Sequence, residues 1–299
     1  MQFVDVTNDI AFRKIFGNEN KKAALVSFLN AVLDLKDRNV IEDVTIKNPY
    51  QLPKYSGGKT TIVDVKATDQ NKNTFIVEMQ VAEVKDFDKR VLYYASQSYT
   101  DQIKRGDFYP NLKPTFFIAI LNFKATQSPT YLSRHKILDT ETGENVVKDI
   151  EFTFIELTKF TKTDKELPTI IDQWVYFLKN AENLEVIPET ITDIGLKEAF
   201  AEANRYNWSK DELDEYNKVF IREQDEKGRL ELAESRGELK GKIEGKIEGR
   251  VEGKMEGKIE EKYGVIDNGI EIGLSLEQLS KLTGLTKNEI EEYVKAKLK

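Results

Sequence analysis

Apolar residues at helical spacing open the chain. Ile10, Phe12, Ile15 and Phe16 follow Thr7-Asn8-Asp9, which offers capping residues, and Gly17 follows as a stop signal. A second series, Ala24, Leu25, Phe28, Leu29 and Val32, predicts a helix over residues 21–35. The period then shortens. Runs at 41–46, 60–67 and 74–81 predict strands, and residues 86–104 predict a helix. Residues 115–122 are almost continuously apolar, the mark of a strand buried on both faces. Residues 150–157 alternate and predict a late strand. Helices and strands in this order predict an α/β layered core.

Beyond about residue 164 the pattern turns helical and acidic. Helices are expected at 170–180 and 196–200, and a third is capped by Ser209 and runs through Leu213, Tyr216 and Phe220. A tandem repeat of period four follows: Gly241-Lys-Ile-Glu, Gly245-Lys-Ile-Glu, Gly249-Arg-Val-Glu, Gly253-Lys-Met-Glu, Gly257-Lys-Ile-Glu. On a helix each step of four drifts about 40° past a full turn, so Ile243, Ile247, Val251, Met255 and Ile259 form one slowly turning stripe. Lysines or arginines flank it on one side and glutamates on the other. Like charges then meet at i,i+4, and each glycine costs about 1 kcal/mol relative to alanine, so a lone helix of this design is poor. Two parallel copies would set the basic side of one against the acidic side of the other. The repeat is therefore expected either to pair in parallel as a homo-oligomer or to serve as a solvated spacer. In the tail, Ser275 with Gln278 and Thr286 with Glu289 stand at capping-box spacing around Gly284, which predicts two short helices in a helix-turn-helix-like arrangement. The second of them is acidic, with Glu289, Glu291 and Glu292, so a packing or oligomer unit competes with a DNA-reading one.

Composition narrows the chemistry. Cysteine is absent and His135 is the single histidine, so thiol catalysis, disulfides and multi-histidine metal sites are excluded. A metal here would be a hard ion held by carboxylates, such as Mg²⁺ or Mn²⁺. No apolar run approaches the ~18 residues of a membrane span, and Met1-Gln2-Phe3-Val4-Asp5 does not begin like a signal peptide. A cytoplasmic protein is expected. The net charge of −7 argues against broad coating of DNA, but it is unevenly placed. Residues 1–170 hold 24 basic against 23 acidic side chains, whereas residues 171–226 hold 6 against 14. A local basic groove in the first part is not excluded.

The hairpin of residues 61–81 carries the candidate chemistry. Its turn, Asp69-Gln70-Asn71-Lys72-Asn73, consists of turn formers. A turn centred on Asn71 sets Asp64 opposite Glu78, with Cβ atoms about 4.5–5.5 Å apart. Two carboxylates at that separation repel unless a divalent cation sits between them. Lys66 and Gln80 fall on the same face, and Val63, Val65, Val77 and Met79 are expected to point into the core. A wet hairpin face can carry the same four polar residues without function. On the next helix Arg90, Tyr94 and Gln97 share a face. Arg90 there could bind phosphate or be a solvated neighbour of Asp86. His135, in a polar segment between strands, is expected on the surface.

Asp64 followed by Glu78-x-Gln80 resembles the Asp…(Asp/Glu)-x-Lys core of the PD-(D/E)XK nucleases, with glutamine in the lysine position. Thr7-Asn8-Asp9-Ile10-Ala11-Phe12-Arg13-Lys14-Ile15-Phe16-Gly17, Val63-Asp64-Val65-Lys66-Ala67, Ile76-Val77-Glu78-Met79-Gln80, Lys89-Arg90-Val91-Leu92-Tyr93-Tyr94-Ala95-Ser96 and Gly106-Asp107-Phe108-Tyr109 together resemble the Rpn family of recombination-promoting nucleases and transposase-like proteins. The resemblance is close over about residues 1–160 and loose in the tail. It implies a restriction-endonuclease-like core, a mixed sheet flanked by helices, with a C-terminal helical extension. Four segments are expected: a nuclease-like core over 1–163, an acidic helical segment over 164–235, the repeat helix or linker over 236–262, and the small tail over 263–299. The implied activity is metal-dependent DNA endonuclease chemistry linked to recombination or mobile elements. Asp64 and Glu78 would hold Mg²⁺ or Mn²⁺ together with the Met79 carbonyl. Gln80 would stand in the water-orienting position, and Lys66 could supply the charge that Gln80 lacks. Asp9 could complete the acid set or simply favour its helix end. The competing reading is a catalytically inactive nuclease-like module that binds DNA or protein and oligomerises through residues 236–262.

Overall fold

The computed structural model describes residues 1–51 and 61–297. In chain order they form α1 (Asp9–Phe16), α2 (Ala23–Leu33), β1 (Val44–Lys47), β2 (Tyr50–Gln51), β3 (Thr61–Ile62), β4 (Val65–Asp69) and β5 (Thr74–Gln80). Next come α3 (Phe87–Thr100), β6 (Thr115–Leu121), β7 (Leu132–His135), β8 (Ile150–Glu156), α4 (Ile170–Asn180), α5 (Ile194–Ala203), α6 (Lys210–Glu271), α7 (Leu276–Thr283) and α8 (Lys287–Lys297). The main sheet has six strands in the order β1-β4-β5-β6-β8-β7. β1, β4 and β5 are antiparallel, β5, β6 and β8 are parallel, and β7 returns antiparallel along β8. This is the expected mixed sheet flanked by helices. None of the described helices is long and apolar enough to cross a membrane.

Strand alternation sorts the core into two layers. Val65, Ala67, Phe75, Val77, Met79, Ile118 and Ile120 face the layer that contains the apolar stripes of α1, α2, α4 and α5. Ile76, Phe117, Ala119 and Leu121 face α3, against Val91, Tyr94 and Ala95. β6 is thus covered on both sides, as its unbroken apolar run predicts. α1 begins where the Asn8 side chain accepts the Ile10 N–H at 3.0 Å. α5 lies so close to α2 that a Cβ on Gly195 would stand 2.3 Å from the Ala23 carbonyl oxygen, so only glycine fits there. The acidic helices α4 and α5 share this core through Trp174, Phe177, Leu196 and Phe200.

Three expectations need correction. The run 60–67 is not one strand; Thr60 lies outside the described residues, and the rest breaks at Val63-Asp64. Thr61 and Ile62 pair with β2 in a separate two-stranded sheet, and only Val65 onward joins the main sheet. Val63 therefore does not share the face of Val65. It packs on the α3 side with Ile76. Finally, His135 belongs to β7 rather than to a segment between strands. Its ring lies 4.7 Å from that of Phe154, and its Nε2 is 3.0 Å from Ser133 Oγ. β7 is polar because it is an edge strand, and no apolar alternation announced it.

The described residues divide into two compact units, one up to Asp225 and one from Glu226 onward, with α6 contributing to both. In the first, Leu213, Tyr216 and Phe220 of α6 pack on the main core. In the second, Ile266, Leu279 and Ile290 form a small core with Tyr263 and Tyr293, whose rings stack at 3.9 Å. Ser275 and Gln278 close the predicted capping box, and Gly284 ends α7 at φ 69°, a left-handed conformation that glycine adopts readily. Through the repeat α6 is continuous, and Ile243, Ile247, Val251, Met255 and Ile259 are all exposed.

Candidate active site

The hairpin turn fixes the register as predicted. Asp69 Oδ1 accepts the N–H groups of Asn71 (2.9 Å) and Asn73 (2.8 Å), and β4 then pairs with β5 as Val65↔Val77, Lys66↔Ile76, Ala67↔Phe75 and Thr68↔Thr74. One step further the same register would set Asp64 against Glu78. There the ladder stops. The strand break frees the Asp64 backbone N–H, which donates to Glu78 Oε2 at 3.1 Å, and the Met79 N–H donates to Asp64 Oδ2 at 2.9 Å. Each carboxylate is thus anchored by a backbone N–H beside the other. Val63, which a continued ladder would set against Met79, gives its N–H to the Pro49 carbonyl instead (3.2 Å). The Met79 carbonyl loses the donor that a regular ladder supplies.

Glu78 is buried, at 5% exposed, and the Asp64 side chain is nearly so, at 9%. Burial, followed by the charge of Asp64, pushes the Glu78 carboxyl up to about 8, against the pull of Arg90 and the Asp64 N–H. Burial also raises Asp64, and the charge of Asp9 adds to that; the Met79 N–H and Arg13 work in the opposite direction. Two like charges enclosed in this way call for a cation. In the structure two guanidinium groups answer. Arg13 Nη2 donates to Asp64 Oδ1 at 3.1 Å, and Arg90 Nη2 to Glu78 Oε1 at 2.8 Å. Arg90 also lies over the Tyr94 ring, 5.2 Å from its centroid, which favours a cation there.

Arg13 was not singled out by the sequence reading. The signal was present: Arg13 stands at i+4 from Asp9, on the same face of α1. Of the three α3 residues, only Arg90 reaches the carboxylates. Tyr94 is buried under the helix. Gln97 accepts from Thr61 Oγ1 (2.9 Å) and donates to the Gln51 carbonyl (3.2 Å), so it fastens the small sheet to α3. Gln80 donates to the Ala82 carbonyl at 3.0 Å. Burial lowers the Lys66 pKa, and Asp101, beyond the end of α3, pulls the other way. Among the described residues no hydrogen bond or ion pair joins Gln80 or Lys66 to Asp64 or Glu78.

No group of three or more His, Cys, Asp or Glu side chains among the described residues closes into a metal-holding cluster. The acidic donor set is therefore Asp64 and Glu78, with Asp9 near enough to be felt electrostatically. This set fits a hard divalent cation. Mg²⁺ is usually held by one or two carboxylates and completes its shell with water and substrate phosphate. Here each carboxylate spends one oxygen on a backbone N–H and turns the other toward a displaceable arginine.

A mixed sheet with one acid just ahead of β4 and a second on the adjoining β5, the latter followed after one residue by a polar side chain, defines the PD-(D/E)XK class. Residues 6–233 match the family described as PD-(D/E)XK nuclease family transposase, and the chain belongs to that family. Nuclease activity and a link to mobile elements come with that membership, and such nucleases generally use divalent metals. No curated protein and no solved structure matches the chain.

Proposed function

We propose that the protein is a Mg²⁺- or Mn²⁺-dependent DNA endonuclease that hydrolyses phosphodiester bonds during recombination or mobile-element movement. The reciprocal anchoring of Asp64 and Glu78 carries this reading: a buried acid pair held ready at a strand break has no structural use that a hydrophobic pair would not serve better. The two carboxylates and the Met79 carbonyl would hold the cation. The cation would supply Lewis acidity, acidifying water and neutralising charge on the phosphate. Arg90 binds a phosphate oxygen next to the pair. Gln80, two residues along β5 from Glu78, offers an amide dipole to the attacking water, and Lys66 is the alternative source of charge. Asp9 adds negative potential beside Asp64.

Plasmid nicking with Mg²⁺ or Mn²⁺, set beside EDTA, tests this. Cleavage is expected only with the cation, and Asp64→Ala or Glu78→Ala should each lower it by at least ~10²-fold. Cutting that survives both substitutions would sink the site. A second reading, a non-catalytic DNA- or protein-binding module, is favoured by the glutamine at position 80; it predicts cation-independent binding and no nicking. In either reading we propose that residues 236–262 of α6 pair with a second copy in parallel. The support is the exposed apolar stripe and the charge complementarity of its two flanks.

A further inference from the structure

Asp64 and Glu78 present one oxygen each to a guanidinium, and the two arginines come from helices in different layers. α1 belongs to the large core, and α3 covers the other face of the sheet. Two guanidinium groups thus face the two carboxyl groups, bringing the positive charge that a divalent cation would bring. Both arginine side chains are partly open to solvent, Arg13 at 45% and Arg90 at 35%. Among the described residues Arg13 makes no other ion pair. A cation held by the Asp64 and Glu78 carboxylates would compete with each arginine for its acceptor and repel both. A planar, always-charged fork released at this spot finds its best new partner in a phosphate oxygen.

We infer that Arg13 is a second phosphate-binding residue and that Arg13 and Arg90 together hold the place of the divalent cation. Its arrival hands both arginines to the DNA backbone. Cation binding and DNA binding then strengthen each other, and Arg13 supplies the positive charge that Gln80 does not. This rests on the nuclease reading of the site. By linkage the coupling must be equal in both directions.

The test is binding rather than turnover. Anisotropy of a labelled duplex is followed in Ca²⁺ and in EDTA, and Mn²⁺ binding is followed by calorimetry with and without the duplex. For the wild type, the cation should tighten duplex binding by about tenfold, and the duplex should tighten Mn²⁺ binding by the same factor. In the double variant Arg13→Gln/Arg90→Gln the coupling should fall to within about twofold. The double variant alone should bind Mn²⁺ more tightly than the wild type, because the competing charges are gone; a merely structural role would weaken both. Arg13→Lys should keep part of the coupling. Unchanged coupling in the double variant, or weaker Mn²⁺ binding, overturns the inference. So does a wild type that shows no reciprocity, which needs no variant to fold. Mn²⁺ binding that Asp64→Asn abolishes and that couples to DNA without any cleavage would overturn the nuclease reading alone. Cleavage without coupling would overturn only the arginine exchange.

Discussion

Glu78 sits in an environment far from that of its free side chain. Its carboxyl ordinarily titrates near 4.5, and in the fold it is raised to about 8. The folded state therefore prefers the protonated form. The stability this contributes is fully present below about pH 4.5 and is lost as pH rises through 8. Protein in EDTA should lose several degrees of thermal stability between about pH 6 and about pH 9, and Glu78→Gln should flatten that slope. Scanning calorimetry across this window checks it, and an unchanged slope in the variant would assign the pH dependence elsewhere. A divalent cation should reverse the loss at high pH, because it binds the ionised pair.

At the scale of elements, the site depends on where β4 begins. Were the strand to start at Thr61, the Asp64 N–H would point into the ladder, and the acid pair would lack its mutual anchors. Pairing of Thr61 and Ile62 with β2, and the bond of the Val63 N–H to Pro49, divert the chain at that point. α1, which brings Asp9 and Arg13 to the site, packs with α2 and α5. The contact of α2 with α5 is set by Gly195. Gly195→Ala would press a Cβ against the Ala23 carbonyl oxygen and the Ser27 Cβ. A loss of about 1–3 kcal/mol is expected, as for other overpacked sites, and a urea titration would read it as a lowered midpoint. An unaltered midpoint would mean that α5 can shift without consequence.

For the whole molecule the central question is how many copies act together. The stripe from Ile243 to Ile259 lies exposed along α6, and among the described residues a Cβ added at any repeat glycine would meet nothing within 4 Å beyond the neighbouring helix backbone. Light scattering on the full chain should give a multiple of the 34.4 kDa monomer mass, and deletion of residues 236–262 should return the monomer. A monomeric full chain would leave the repeat as a spacer. High salt should weaken the assembly if the charged flanks contribute, since such pairs are screened.

Much of this was written locally. Helical periods, the cap at Asn8, the both-faces-buried run of β6 and the Asp69–Asn73 turn follow from interactions over a few residues, so the sequence alone determined those elements and the β4–β5 register up to Val65 and Val77, whereas the ladder pairing expected of Asp64 with Glu78 is replaced by their side-chain bonds to backbone N–H groups. The family motif is ordered along the chain and was legible for the same reason. What no local pattern could decide is where β4 breaks, which side Val63 takes, that polar β7 pairs with β8, and that Arg13 meets Asp64 across 51 positions. Those outcomes depend on which segments compete for the same backbone groups and on what each helix packs against. Only the assembled tertiary structure sets that competition, and it turned two acids on a hairpin into a buried, arginine-capped pair.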